Sequence, residues 1–487
     1  MTNLSGTNLN NGAAVGPQGE GMDSPSTFPK YPAYKDSGVE WLGEVPEHWA
    51  VHPLKRAIER IESGTSVNAA DFPAEPGSLG VLKTSCVYTG KFDWAENKTV
   101  DDEDLSRVSC PLRRDTLIVS RMNTPDLVGA TGLVTEAPNG IFLPDRLWQV
   151  YFLVNHSPEF LFYFTKSREY REQVKMACSG TSASMQNLGQ DDFRGLLFAE
   201  PPKPEQTQIA RFLDHETARI DALIEEQQRL IELLKEKRQA VISHAVTRGL
   251  DPTVPMKDSG VEWLGEVPAH WEALTLGRIA SSVKTGGTPS DDLPSADIID
   301  GVEWYTPGDF TGDLLLDSSE KRVSAGAVRS GDAKVFPSGS VLIVSIGATL
   351  GKVGHIRRPA SANQQINAVV PGPRVDGYFL AYSLSVKVNA MRFLSNASTI
   401  GIMNQEKTKE IWLSLPPLQE QKLITEFLDK QTSVIDTLIQ EAAGGVALLQ
   451  ERRSALISAA VTGKIDVRGW QPPVSTQAPK FEVAEAV

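Results

Sequence analysis

KDSGVEWLGEVPEHW, residues Lys35 to Trp49, returns as KDSGVEWLGEVPAHW from Lys257 to Trp271, with only Glu47 exchanged for Ala269. Near-identity over fifteen positions is not a chance recurrence, so some part of this protein is built twice. A second repeated phrase follows each copy. PPKPEQTQIARFLDHETARIDALIEEQQRLIELLKEKRQAVISHAVTRGLD occupies Pro201 to Asp251, and PPLQEQKLITEFLDKQTSVIDTLIQEAAGGVALLQERRSALISAAVTGKID occupies Pro416 to Asp466. Within it Phe212-Leu213-Asp214 matches Phe427-Leu428-Asp429, Ile220-Asp221 matches Ile435-Asp436, and Arg238 matches Arg453.

The segments between these phrases agree only in outline. DTLIVSR (Asp115 to Arg121) and SVLIVSI (Ser340 to Ile346) read as short buried strands rich in β-branched residues. Phe160 to Ala177 and Tyr378 to Leu394 each read as an amphipathic helix. The order is globular domain, helix, globular domain, helix, an α+β chain. The expected divisions are a disordered tail over 1–30, globular domains over 31–200 and 256–415, helical arms over 201–255 and 416–468, and a disordered tail over 469–487.

Each arm has a seven-residue apolar period: Leu213, Ile220, Gln227, Leu234 and Val241 in the first, with Leu223, Ile224, Leu230 and Ile231 between them. The second places Leu428, Ile435, Ala442, Leu449 and Leu456 at the matching positions, with Leu438 alongside. This is a coiled-coil seam. The Pro pair that closes each domain also opens its helix, where a missing N–H costs nothing. Gly444-Gly445 predicts a kink or a close approach of the partner helix. A repeated unit implies a pseudo-twofold with antiparallel arms, and about 40 helical residues make a spacer of about 60 Å.

Bulk properties narrow the class. The 487 residues fit two to four domains, and the composition is globular, at 40% hydrophobic and 22% charged. No apolar run reaches the ~18 residues that span a bilayer. Cys86, Cys110 and Cys178 lack CxxC spacing, which points to a reducing cytoplasm and away from disulfides or zinc. A net charge of −13 counts against nucleic-acid binding unless basic groups are concentrated locally or supplied by a partner.

Catalytic motifs are missing. GATLGKV (Gly347 to Val353) resembles a phosphate loop, but three residues separate its glycines and Val353 stands where a Mg²⁺-holding hydroxyl belongs. No Asn-Pro-Pro-Tyr, HExxH or GxSxG pattern occurs. His48 and His270 have no companion ligands, and Trp41, Trp49, Trp263 and Trp271 are expected to pack each domain against its arm.

The doubled KDSGVEWLGEVPxHW phrase, PPxxEQxxIxxFLD, TxxID and AVTG(K)ID together resemble the specificity subunit of type I restriction–modification systems, from about Tyr31 to Asp466. The resemblance implies two target-recognition domains on double-stranded DNA, each reading one half of a bipartite, asymmetric sequence. It implies helices that fix the spacer, with no catalytic site and no metal in this chain. It further implies two methyltransferase subunits and two translocase–nuclease subunits as partners, which use S-adenosylmethionine, ATP and Mg in a bacterial or archaeal cytoplasm. The outer arm faces, carrying Arg229, Lys235, Glu451 and Arg452, would dock the methyltransferases. A coiled-coil scaffold joining two protein-binding domains is the alternative.

Base reading calls for Arg or Lys against guanine and Asn or Gln against adenine. Candidates in the first domain are Lys83, Arg121, Asn123, Arg146, Ser182, Gln186 and Asn187. In the second they are Lys284, Thr285, Thr288, Lys352, Asn363, Gln364 and Gln365. Three adjacent carboxamides, Asn363 to Gln365, are costly unless bonded to something.

Overall fold

The computed structural model describes residues 28–182, 185–395 and 401–473, with side chains 179–182 set aside. The chain divides into two compact units: one runs up to Glu226 and resumes from Gly445, and the other is Gln227–Gly444. The cut falls inside both arms, so each unit holds one globular domain and half of each helix. The arms are single helices, Lys203–Arg248 and Leu418–Val461, of 46 and 44 residues.

Each domain is built on the same sheet. In the first, strands Thr131–Leu133, Leu117–Ser120, Leu147–Phe152 and Ile58–Ser63 run side by side, all antiparallel. In the second, Val353–Ile356, Val341–Val344, Ile366–Pro371 and Ala280–Thr285 repeat that order, with Leu315–Leu316 added in parallel at the edge. Leu117–Ser120 and Val341–Val344 are buried at every position, as their unbroken apolar runs require. A second sheet of four short strands completes each domain. The chain leaves the edge strand through Gly64 or Gly286. A Cβ there would sit 1.6 Å from the Leu143 carbonyl oxygen, or 2.3 Å from those of Ala362 and Asn363, so neither position admits a side chain.

The single amphipathic helices expected in each domain are pairs. Pro158–Phe164 and Arg168–Ala177 are separated because the Ser167 side chain caps the second, accepting from the Tyr170 amide. Gly377–Ser385 and Val388–Ser395 divide likewise.

The repeated fifteen-residue phrase is a hairpin. Tyr34–Asp36 pairs with Glu44–Pro46, and Met256–Asp258 with Glu266–Pro268. Asp36 and Asp258 each accept from the amide of the following left-handed glycine at 3.0 Å, Gly38 or Gly260. Trp49 and Trp271 are fully buried, whereas Trp41 and Trp263 are 41% and 46% exposed; Trp263 lines a cavity together with Ser243, Thr247 and Arg248 of the arm.

The EQ pair opening each arm explains the coupling of the two phrases. Glu205 accepts from Trp49 Nε1 at 3.0 Å and contacts His48 Nε2 at 2.8 Å; Glu420 holds Trp271 and His270 at 3.1 and 2.8 Å. Gln206 accepts from the Ser157 amide and Gln421 from the Asp376 amide, tying each arm to the first helix of the pair in its domain. Tyr163 and Tyr382 donate to Asp214 and Asp429 of the FLD phrase at 2.7 and 2.8 Å. Burial, with the added contribution of the Asp carboxylate, raises both phenols above their usual range.

In the first unit Leu213 and Ile220 share a core with Leu456, Ile457 and Val461. In the second, Ile242, Ala245 and Val246 share one with Ile424 and Leu428. The start of each arm therefore packs on the end of the other, and the two run antiparallel. Ion pairs repeat the arrangement: Arg453 with Asp221 at 2.7 Å, and Arg238 with Asp436 at 2.8 Å. Ile435 is also buried, while Leu223, Leu234, Val241 and Leu449 are half-buried. Leu438 and Leu230 are 44% and 43% exposed and stand outside the seam. A straight helix drifts by about 20° per heptad, so the buried face passes from Leu213 and Ile220 to Ile242 and Val246. Gly444 and Gly445 lie within unbroken helix, and a Cβ at either would meet nothing within 4 Å, so they mark no close approach.

Residues 1–27 and 474–487, within the tails expected to be disordered, lie outside the described residues. Residues 28–30 and 469–473 of those tails are described, and their inner parts pack: the Pro29 carbonyl accepts from the Asp466 amide at 2.7 Å, and Trp470 stacks edge-on against Phe212.

Candidate nucleic-acid interface

In the first domain three segments converge at the end of the central strand. The Arg121 amide donates to the Arg146 carbonyl at 3.1 Å, and Arg121 Nε to the Asp145 carbonyl at 2.7 Å. Asn187 and Gln186 of strand Met185–Asn187 pair with Met122 and Asn123. Five candidates, Arg121, Asn123, Arg146, Gln186 and Asn187, are thus brought together. Asn123 is 9% exposed; its amide nitrogen donates to Tyr88 Oη at 2.7 Å and Ser120 Oγ at 3.2 Å, so it braces the cluster rather than offering a free edge. Arg121 is likewise engaged, which leaves the exposed Arg146 and the half-buried Gln186 for outside contacts. Asn187 Oδ1 is buried without a hydrogen-bond partner among the described residues. Lys83 stands apart, 4.0 Å from the carboxylates of Asp71 and Glu96. Ser182 lies in strand Ser179–Ser182, with its side chain outside the described ones.

In the second domain the loop Asn363–Gln365 is the centre. Asn363 is 8% exposed, and its Oδ1 accepts from the Gln365 amide at 3.0 Å, closing a local turn. Its Nδ2 donates to Gln365 Oε1 at 3.2 Å. The carboxamide run is therefore partly self-satisfied, and Asn363 is a turn residue. Gln364 and Gln365 are exposed, and Thr288 Oγ1 donates to Gln364 Oε1 at 2.7 Å. Thr285 donates to Asn367 Oδ1 at 2.8 Å beneath them. Lys284 is exposed on the edge strand. Lys352 reaches away to the Phe310 carbonyl at 2.6 Å and does not join the cluster; the GATLG stretch before it forms the hairpin turn between Val341–Val344 and Val353–Ile356.

Sequence reasoning missed Tyr88, 37% exposed and bonded to Asn123, and Lys334, whose Nζ holds the Thr285 and Gly286 carbonyls at 3.1 and 3.3 Å. Neither has a local signal, because the pairing that brings it into place is long-range. Among the described residues no cluster of three or more His, Cys, Asp or Glu could hold a metal, and no helix is long and apolar enough to cross a membrane. Exposed amides, a guanidinium and hydroxyls on rigid turns can hydrogen-bond base edges.

Comparison with known proteins agrees with this architecture. The family described as "Type I restriction modification DNA specificity domain" matches residues 268–442. The EcoKI specificity subunit of Escherichia coli K12 is 22% identical over 88% of this chain and 91% of its own. The StySPI specificity subunit of Salmonella potsdam is 20% identical over the same shares. A solved chain from work on assembly of the type I restriction–modification system superposes with a TM-score of 0.67 at 18% identity, over 86% of this chain and 98% of that one, and shares its fold. With the doubled frame and two globular domains in place, the chain is similar to type I restriction–modification specificity subunits over most of its length, and to their DNA specificity domain over residues 268–442.

Proposed function

We propose that the chain reads a bipartite DNA sequence, one half per domain, and that the arms fix the spacing between the halves. The observation that carries this reading is the contrast between the two levels of structure. The hairpins, the Glu-Trp-His clamps and the ion pairs repeat, while the residues at the two sheet ends differ: Arg146 and Gln186 in one, Thr288, Gln364 and Gln365 in the other. A repeated frame with different tips suits two different half-sites. The glutamine amides would face adenine, and Arg146 guanine.

In this reading the chain performs no chemistry. Adenine methylation belongs to two partner methyltransferase subunits using S-adenosylmethionine, and restriction to two further subunits using ATP and Mg²⁺. Those partners would supply most phosphate contacts, consistent with a net charge of −13. Footprinting with the cognate methyltransferase should show two protected blocks separated by a constant gap. A methyltransferase complex that forms but protects no DNA would favour the scaffold reading.

A further inference from the structure

Phe212 and Phe427 occupy the same place in the repeated FLD phrase, yet only one is covered. Phe212 is fully buried beneath the rings of Phe28 and Trp470, at 5.2 and 5.3 Å between centroids. Gln208 Nε2 secures that cover by donating to the Val467 and Trp470 carbonyls at 3.1 and 2.6 Å. Phe427 is 37% exposed and walls an open cavity of about 480 Å³ lined by Lys237, Ala240, Val241, His244 and Leu250. Among the described residues of the second unit no aromatic ring is stacked on Phe427. That unit's helix end and hairpin are joined by the continuous stretch Arg248 to Met256, which contains no aromatic residue.

The exposed surface continues along the arm. Leu423, Val434 and Leu438 are 51%, 56% and 44% exposed and stand four before, seven after and eleven after Phe427, on one helix face. In the first arm the positions matching Leu423 and Val434 are Gln208 and Arg219, and Leu438 matches the half-buried Leu223, so the exposed apolar strip is a feature of the second arm. The cavity lining contains Lys237 and His244 and no acid, and Lys430 lies one turn from Phe427. Neither lysine has an ion-pair partner among the described residues. Contiguous exposed apolar surface of this kind marks an interaction site.

We propose that this socket receives an aromatic side chain flanked by carboxylates from the methyltransferase subunit, covering Phe427 as Trp470 covers Phe212. The inference rests on the partner assignment made above. The first copy shows which chemistry the socket accepts, and the uncompensated lysines show which charge its surroundings favour.

The test uses the full chain with p-benzoylphenylalanine in place of Phe427, mixed with its cognate methyltransferase and irradiated. The expected product is a crosslink to a methyltransferase aromatic residue with acidic neighbours. Ala240→Trp, at an exposed position on the socket wall, should weaken methyltransferase binding at least tenfold without lowering the melting temperature. A complex that forms normally but crosslinks only to this chain, or not at all, overturns the proposal, as does unchanged affinity in Ala240→Trp. If the wild-type chain binds no methyltransferase, the partner assignment itself fails, and this inference with it.

Discussion

Glu205 is 8% exposed and takes hydrogen bonds from Tyr31 and Trp49 as well as the contact from His48; among the described residues Glu420 has the Trp and His contacts and no third donor. A hydrogen bond to a charged acceptor is worth about 1.5–3 kcal/mol, so Glu205→Gln should destabilise the protein more than Glu420→Gln, by at least about 1 kcal/mol. Urea unfolding of both variants measures the difference, and equal losses would contradict the third donor's role. Lys166 gives a pH signature. Burial, aided by nearby Arg453, lowers its ammonium from the usual lysine range to about 7, while among the described residues its Nζ donates to the Thr131 carbonyl alone. The folded state therefore sheds this proton around pH 7 while the unfolded chain keeps it up to about 10.5, and stability from this group rises across that window. Lys166→Met should stabilise most at pH 6 and progressively less towards pH 10, as thermal unfolding across that range would show; a pH-independent gain would refute it. At this scale the sequence showed residue types but not their surroundings. Amides such as Gln364 announce themselves by type, but whether Asn363 faces outward or closes a turn depends on bonds two residues away.

At the scale of elements, repetition made the hairpins and arms readable, because the same letters had to satisfy the same local geometry twice. The short strands of the second sheets gave no signal: Ile141–Phe142 pairs in parallel with Gly80–Leu82, and two or three residues carry no periodicity. The seam was readable in type but not in detail, since the buried face drifts off a strict heptad and leaves Leu438 outside. The arms' proposed role as spacer makes a length prediction. Four residues inserted after Gln227 and four after Ala442 add about 6 Å to each helix and turn it by about 400°, preserving its faces. At about 3.4 Å per base pair, the spacer should lengthen by one or two pairs while both half-sites stay the same. Insertion into one arm alone should abolish DNA binding, because the seam and the Arg453–Asp221 and Arg238–Asp436 pairs lose register. Sequencing of methylated sites would reveal the spacer, and an unchanged spacer in an active double insertion would end the spacer reading.

At the scale of the whole chain, the first unit is assembled from both ends of the sequence and the second from its middle. Each unit borrows half a helix from the other repeat, so a fragment of residues 28–251 holds a complete domain and arm but lacks the helix that packs on it. Two such fragments can supply that helix to each other. The fragment should be a dimer by light scattering and, with the methyltransferase, modify a palindrome of the first half-site; a folded monomer would contradict the exchange. The most direct test of the central claim is methylome sequencing of cells carrying the system with wild-type chain or with Gln364→Ala/Gln365→Ala. The wild type should yield one bipartite motif with a constant spacer. The variant should relax or change bases in one half-site only, leaving the other half and the spacer intact. Loss of specificity in both halves together, or a wild-type motif that is not bipartite, would contradict one reader per repeat.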